Sequence, residues 1–190
     1  MYVILEGVDG CGKSTQIELL KDRFKDAIFT KEPGGTKFGI EARELLLHSE
    51  IKSSKAELLL FLADRAEHFL EVVKPNIVNM VISDRGFLSG MAYAMVAGFE
   101  LQWLSKLNRF ALDNTLPNKS IIFQISKEEL INRVGSREQD KIEQRGYDYL
   151  MQIQENLVEV AEFMKIDYKI IDATKSIEEI NSEIIEYILL

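Results

Sequence analysis

Short apolar runs recur along the chain at residues 2–5, 27–30, 80–83, 120–125 and 168–171, each bounded by polar or turn-forming residues. Between them lie longer segments in which apolar residues return every three or four positions, the spacing of one helix face. These cover 14–24, 39–47, 55–73, 88–97, 101–114, 127–134, 147–164 and 177–188. Strand-like runs alternating with helical segments predict a parallel sheet, because parallel strands must be joined by crossovers and buried on both faces. The expected architecture is a three-layer α/β/α fold on a five-stranded parallel sheet, in a single domain spanning 1–190. In such sheets ligands gather beyond the carboxyl ends of the strands, so residues that follow a strand deserve the closest reading.

Composition narrows the partners. The chain has 190 residues, enough for one sizeable core, and neither a linker nor a repeat divides it. A net charge of −8 argues against a general nucleic-acid binder, which needs a basic face, but leaves small phosphorylated ligands open. The single cysteine, Cys11, excludes an internal disulfide. The chain opens on a strand rather than a signal segment, and no apolar run is long enough to cross a bilayer. The expectation is a cytoplasmic protein with no membrane partner.

Three motifs follow strands. The first is GVDGCGKST, comprising Gly7, Val8, Asp9, Gly10, Cys11, Gly12, Lys13, Ser14 and Thr15, between the first strand and the first helix. It fits the Walker A phosphate-binding pattern. Its glycines permit backbone angles that aim N–H groups at phosphate oxygens, and the helix N-terminus adds partial positive charge. Lys13 is placed to reach the β- and γ-phosphates of ATP, and the Ser14 hydroxyl to ligate Mg²⁺. Cys11 near a helix N-terminus reads either as a reactive thiol or as a small residue filling the loop. The second motif is KEPGGT at 31–36; taken alone it is an ordinary tight turn. The third is MVISDR, where Asp84 and Arg85 end an apolar run. Asp84 is either half of a strand-terminal ion pair or a second holder of the magnesium shell.

In this order, GVDGCGKST, KEPGGT, FLADR (61–65), SDR (83–85) and SGMAY (89–93) resemble the thymidylate kinases over most of the chain, with Glu-Pro-Gly-Gly-Thr the most diagnostic element. The resemblance implies a P-loop NTPase fold of the nucleotide-kinase type, Mg²⁺-dependent transfer of the γ-phosphate of ATP to dTMP, and a homodimer. It also implies roles for named residues. Phe61 would stack on thymine and Arg65, four residues on and so on the same helix face, would hydrogen-bond the base. Arg43 and Arg85 would grip the acceptor phosphate with their planar forks. Asp9 would position that phosphate or its metal shell, Tyr93 would crowd the sugar 2′ position, and Glu32, Pro33 and Ser89 would complete the acceptor site. The basic stretch 133–145 resembles a lid, placed at about 135–146; Arg133 and Arg137 are its candidate catalytic cations, because Asp9 and Gly10 stand where some family members carry a basic residue.

The chain departs from the family pattern at Gly90 and Ala94, where two polar side chains near the base are absent, and at Gly86, which replaces the aromatic that often follows Asp-Arg. That keeps a kinase for another pyrimidine monophosphate in view. A GTP-dependent switch protein would need Asn-Lys-x-Asp, whereas Asn118 and Lys119 lead into Ser120 and Ile121. An ATP-dependent partner-binding module is the remaining alternative. His48 and His68 have no metal-ligand spacing with Cys11 and receive no role; Trp103, Leu104 and Leu107 fit either a dimer face or ordinary helix packing.

Overall fold

The computed structural model describes residues 1–134 and 146–190. Strands β1 (Tyr2–Glu6), β2 (Ile28–Lys31), β3 (Val81–Asp84), β4 (Lys119–Gln124) and β5 (Asp167–Asp172) form one parallel sheet in the order β2-β3-β1-β4-β5. Every residue of β1 is buried, which is why it reads as an unbroken apolar run closed by Glu6, whereas the edge strand β5 exposes Asp167, Lys169 and Ile170.

The described residues hold eight α-helices: α1 (Lys13–Arg23), α2 (Lys37–His48), α3 (Ser54–His68), α4 (Phe87–Val96), α5 (Leu101–Ala111), α6 (Lys127–Val134), α7 (Tyr147–Met164) and α8 (Ile177–Leu189). Helix α1 packs on α8, while α4 packs against α3, α5 and α7. Each predicted strand and helix is present within a few residues, with one difference in kind. The helix expected over 55–73 is α-helical only to His68, then widens into a π turn at Phe69–Val73 and tightens into a 3₁₀ turn at Lys74–Asn76. Pro75 gives the reason: it has no N–H to donate, and its ring clashes with the carbonyl four residues back in a regular α-helix.

From β1 the chain runs to the edge at β2, returns to β3, then crosses β1 to β4. Strand order therefore reverses at β1, and the crevice of an open α/β sheet forms at such a reversal. The register pairs Leu5 and Lys31 with Asp84, so the phosphate loop, the 31–36 turn and Asp84–Arg85 emerge side by side. Helix starts differ in a telling way. Thr36 caps α2 by accepting from the Gly39 amide (2.9 Å), Ser53 caps α3, and Ser176 with Glu179 forms a capping box on α8. Helix α1 starts at Gly12 with no side-chain cap and no acid in its first turn; α5 also starts uncapped, but α1 starts in the loop beyond the carboxyl end of β1, where its amide N–H groups are left for an anion.

Candidate active site

Residues 7–12 turn from β1 into α1, and Lys13 reaches back over them. Its buried ammonium donates to the carbonyls of Gly7 (2.9 Å) and Val8 (3.0 Å), which fixes a positive charge at the mouth of the loop. Val8 and Cys11 lie in the core and contribute main chain, with Cys11 filling the loop interior. Gly10 has φ +85°, and a Cβ there would sit 2.3 Å from Val134 Cγ2, so α6 closes directly on the loop and only glycine fits. Lys13, Ser14, Thr15, Lys31, Asp84 and Arg85 line a cleft of about 420 Å³ over the loop. In it Asp84 carries a buried Oδ1 with no hydrogen-bond partner among the described residues. An orphaned carboxylate oxygen on a residue that lines one cleft with Ser14 gives, with the Ser14 hydroxyl, a donor set suited to a hard cation such as Mg²⁺.

Arg85 spans the next stretch. Its backbone N–H donates to the Leu5 carbonyl (2.8 Å), and its φ of +66°, strained for a residue with a Cβ, turns its side chain across the phosphate loop. There Nη1 donates to the Gly7 carbonyl (2.7 Å) and Ser89 Oγ (3.1 Å), and Nη2 to Asp9 Oδ1 (2.8 Å). Such strain costs on the order of 1 kcal/mol and collects at functional sites. Burial works against the guanidinium charge, but Asp9, Tyr93, Asp84 and Glu6 together hold its pKa well above the ordinary arginine value. Glu6, fully buried, accepts from the amides of Gly86 (3.0 Å) and Ser89 (3.3 Å) and from the Ser89 hydroxyl, and so caps α4 from the end of β1. Burial raises its pKa, against the Ser89 bond and the Arg85 charge.

Beyond Arg85 lies a second cleft, lined by Asp9, Glu32, Pro33, Arg43, Phe61, Arg65, Arg85, Ser89, Gly90 and Tyr93. It brings together every residue expected at the acceptor site. Arg43 on α2 donates to the Pro33 carbonyl (3.1 Å), and the Glu32–Pro33 bond is cis. Arg65 on α3 is 2% exposed and held on three sides: Nε to Glu32 Oε2 (2.9 Å), Nη1 to Asn108 Oδ1 (2.7 Å) and Nη2 to the Gly86 carbonyl (3.2 Å). The other Glu32 oxygen meets His68 Nδ1 (2.8 Å), and His68 Nε2 meets Thr30 Oγ1 (2.7 Å). Burial alone would raise the Glu32 pKa, yet the Arg65 charge and the His68 and Arg65 hydrogen bonds bring it below the ordinary carboxylate value.

The geometry revises several expectations. His68, assigned no role in the sequence, is fully buried and braces the carboxylate that holds Arg65. Gly90, read as a missing polar group, makes room instead: a Cβ there would sit 2.9 Å from Arg65 Nη2 and 3.1 Å from Nη1. Leu104 is core, whereas Trp103 is half-exposed and stacks on Phe99. Arg133 donates to Glu129 (2.7 Å) and to the Ala173 carbonyl (2.8 Å), past the end of β5, and lines neither cleft. Arg137, with the lid expected at 135–146 except Gly146, lies outside the described residues. Glu6, Asp64 and Asn108 were missed. Asp64 binds the Gly34 amide (3.1 Å) and pins the 31–36 turn; an acid inside FLADR was its signal, as an acid ending YVILE was for Glu6.

A family model described as thymidylate kinase matches residues 5–184. The chain belongs to the thymidylate kinase family. It is 49% identical over 189 residues to a protein of Sulfurimonas denitrificans named thymidylate kinase, with 99% of each chain covered. It is 50% identical over 190 residues to one from Wolinella succinogenes, covering 100% of this chain and 99% of the relative. Among solved structures, a thymidylate kinase of Ehrlichia chaffeensis is similar with a TM-score of 0.80 at 26% identity, over 100% of this chain and 98% of the other. The five-stranded parallel sheet and its helices thus have the fold of a P-loop kinase of this family.

Proposed function

We propose that the chain transfers the γ-phosphate of ATP to dTMP, giving dTDP and ADP. The observation that carries this reading is that the two clefts share Asp9, Glu32, Arg43 and Arg85, so a donor on the phosphate loop and an acceptor beside Phe61 meet at two guanidinium groups. Residues 7–15 cradle the ATP phosphates, Lys13 neutralises the β- and γ-oxygens, and Arg43 and Arg85 hold the acceptor phosphate in line, Arg85 being aimed by Asp9. Phe61 stacks on the base, Arg65 donates to it, and Ser89 and Tyr93 bound the sugar side. Transfer passes through a loose transition state, which needs alignment and charge neutralisation rather than a protein nucleophile. Ser14 and the free oxygen of Asp84 fit Mg²⁺, which would supply further neutralisation of the phosphate oxygens; among the described residues no acidic or imidazole cluster binds a metal unaided, as suits an ion arriving on a nucleotide. The remaining cation falls to Arg137, the lid arginine that the family resemblance implies, since Arg133 is engaged by Glu129 and the Ala173 carbonyl.

The chain works as a single kinase domain in the cytoplasm; among the described residues no helix is long and apolar enough to cross a membrane. It pairs with a second copy. Leu59 on α3 is 60% exposed and Phe110 on the adjoining α5 is 83% exposed, a pair of apolar groups that a protomer contact would cover. Light scattering should report a dimer, and Phe110→Asp a monomer.

The deciding experiment measures ADP formation from Mg-ATP with deoxythymidine, deoxyuridine, uridine and cytidine monophosphates. A clear dTMP preference is expected. Equal kcat/KM across the pyrimidines would leave a kinase of broader specificity, and ATP binding without acceptor turnover would overturn the reading.

A further inference from the structure

Arg65 has five N–H groups; among the described residues three are taken, by Glu32, Asn108 and the Gly86 carbonyl, and two remain, both on the terminal nitrogens. Those nitrogens form the end of the guanidinium that Gly90 leaves uncovered on the cleft side. Where these two donors point depends on how the plane of the group is held. Glu32 fixes the Nε edge but leaves the plane free to swing about it, and the contact to the Gly86 carbonyl, at 3.2 Å, is the longest of the three. The shortest is to Asn108, at 2.7 Å, from a helix with no other side chain on this group.

Asn108 is 1% exposed and is itself fixed. Its Nδ2 donates to the Leu104 carbonyl one turn back on α5 (2.8 Å). A flipped amide would set its NH₂ against the Arg65 N–H and its oxygen against the Leu104 carbonyl, so both neighbours enforce one orientation. An amide also offers a neutral acceptor, where a carboxylate would add a second buried negative charge to that of Glu32. Helix α5 contributes no residue to the lining of the acceptor cleft, yet this side chain sets the angle of the group that does.

We propose that Asn108 is the positioning residue for base readout, holding the Arg65 guanidinium so that its two remaining N–H groups face the acceptor's base. The inference rests on Arg65 binding the base, and a double-mutant cycle separates the two claims. The acceptor KM, ATP KM and kcat are measured for Asn108→Ala, Arg65→Ala and the double variant, with dTMP and dCMP as acceptors. Asn108→Ala is expected to raise the dTMP KM about tenfold and to narrow the preference for dTMP over dCMP, with ATP KM and kcat within about threefold of the parent. In the Arg65→Ala background the same substitution should change the dTMP KM by less than about threefold. A full penalty persisting in that background would reveal a role in α5 packing alone and overturn the proposal, as would an unchanged KM in Asn108→Ala beside a raised one in Arg65→Ala. An unchanged KM in Arg65→Ala would overturn the base-binding role of Arg65 itself. Asn108→Ser, whose hydroxyl can donate to the Leu104 carbonyl but does not reach Arg65, guards against a folding failure of the alanine variant: its dTMP KM should also rise several-fold, and a KM equal to the parent's would count against the proposal.

Discussion

Of the three arginines that line the acceptor cleft, Arg85 and Arg65 are held in opposite ways. Arg85 lies on a strained backbone, remains partly exposed and bonds mostly to its near surroundings in the phosphate loop and α4. Arg65 lies on a regular helix turn, is almost wholly buried and is gripped by side chains from β2's turn and from α5. The first arrangement suits a group that meets a doubly charged phosphate and must stay close to it. The second suits a group that discriminates, since a donor that cannot relax leaves a wrong partner's polar atoms unmatched.

The comparison is broken most severely at the phosphate end. Lys13→Ala or Arg85→Ala should lower kcat/KM by about a thousandfold while leaving the urea midpoint near that of the parent; steady-state kinetics beside equilibrium unfolding checks both halves. At the base end the cost moves to stability. Glu32→Ala would strand the Arg65 charge and a His68 nitrogen in the interior, and unfolding curves should show a loss of about 3–5 kcal/mol. A smaller change sharpens the contrast. Gly90→Ala places a methyl against the Arg65 nitrogens, so dTMP KM should rise about tenfold with ATP KM unchanged, and equal rises in both would contradict the steric account.

The smallest expected effect is on pH dependence. The Glu32 carboxyl is held below its ordinary value of 4.5, so its stabilisation is complete above that pH and is lost as the pH falls through the lower folded value. Thermal melts from about pH 6 to pH 3 should therefore show a shallower acid loss for Glu32→Gln than for the parent. Glu6 works with the opposite sign. Its raised pKa means that its contribution weakens as the pH rises above 4.5.

The same contrast explains what could be read in the chain. The phosphate end is written contiguously: nine residues between a strand and a helix carry the loop, and Asp84 and Arg85 directly follow an apolar run. The sheet was legible too, because the centres of β1, β3 and β4 are buried on both faces and so carry the apolar runs Tyr2–Leu5, Val81–Ile82 and Ile121–Phe123. The base end is assembled from residues 30 to 43 positions apart, and no local pattern marks Asn108, which sits in an amphipathic helix like any polar residue, or His68, one turn past Arg65. Phe61 and Arg65 were found through resemblance, since an aromatic in an apolar helix is ordinarily core. The break in the helix after His68 was missed because apolar spacing does not register the backbone demands of Pro75.

The contact between Gly10 and Val134 shapes how this sequence can drift. A side chain at position 10 collides with α6 unless position 134 first becomes smaller, and shrinking Val134 alone opens a void beside the loop. Shrinking Val134 would relieve that collision but not the strain that φ +85° puts on a side chain, so position 10 changes only together with the helix above it and the loop's own backbone. A basic residue at position 10 is therefore not reached by one substitution, and a lineage carrying glycine there keeps it until both the helix above and the loop backbone give way.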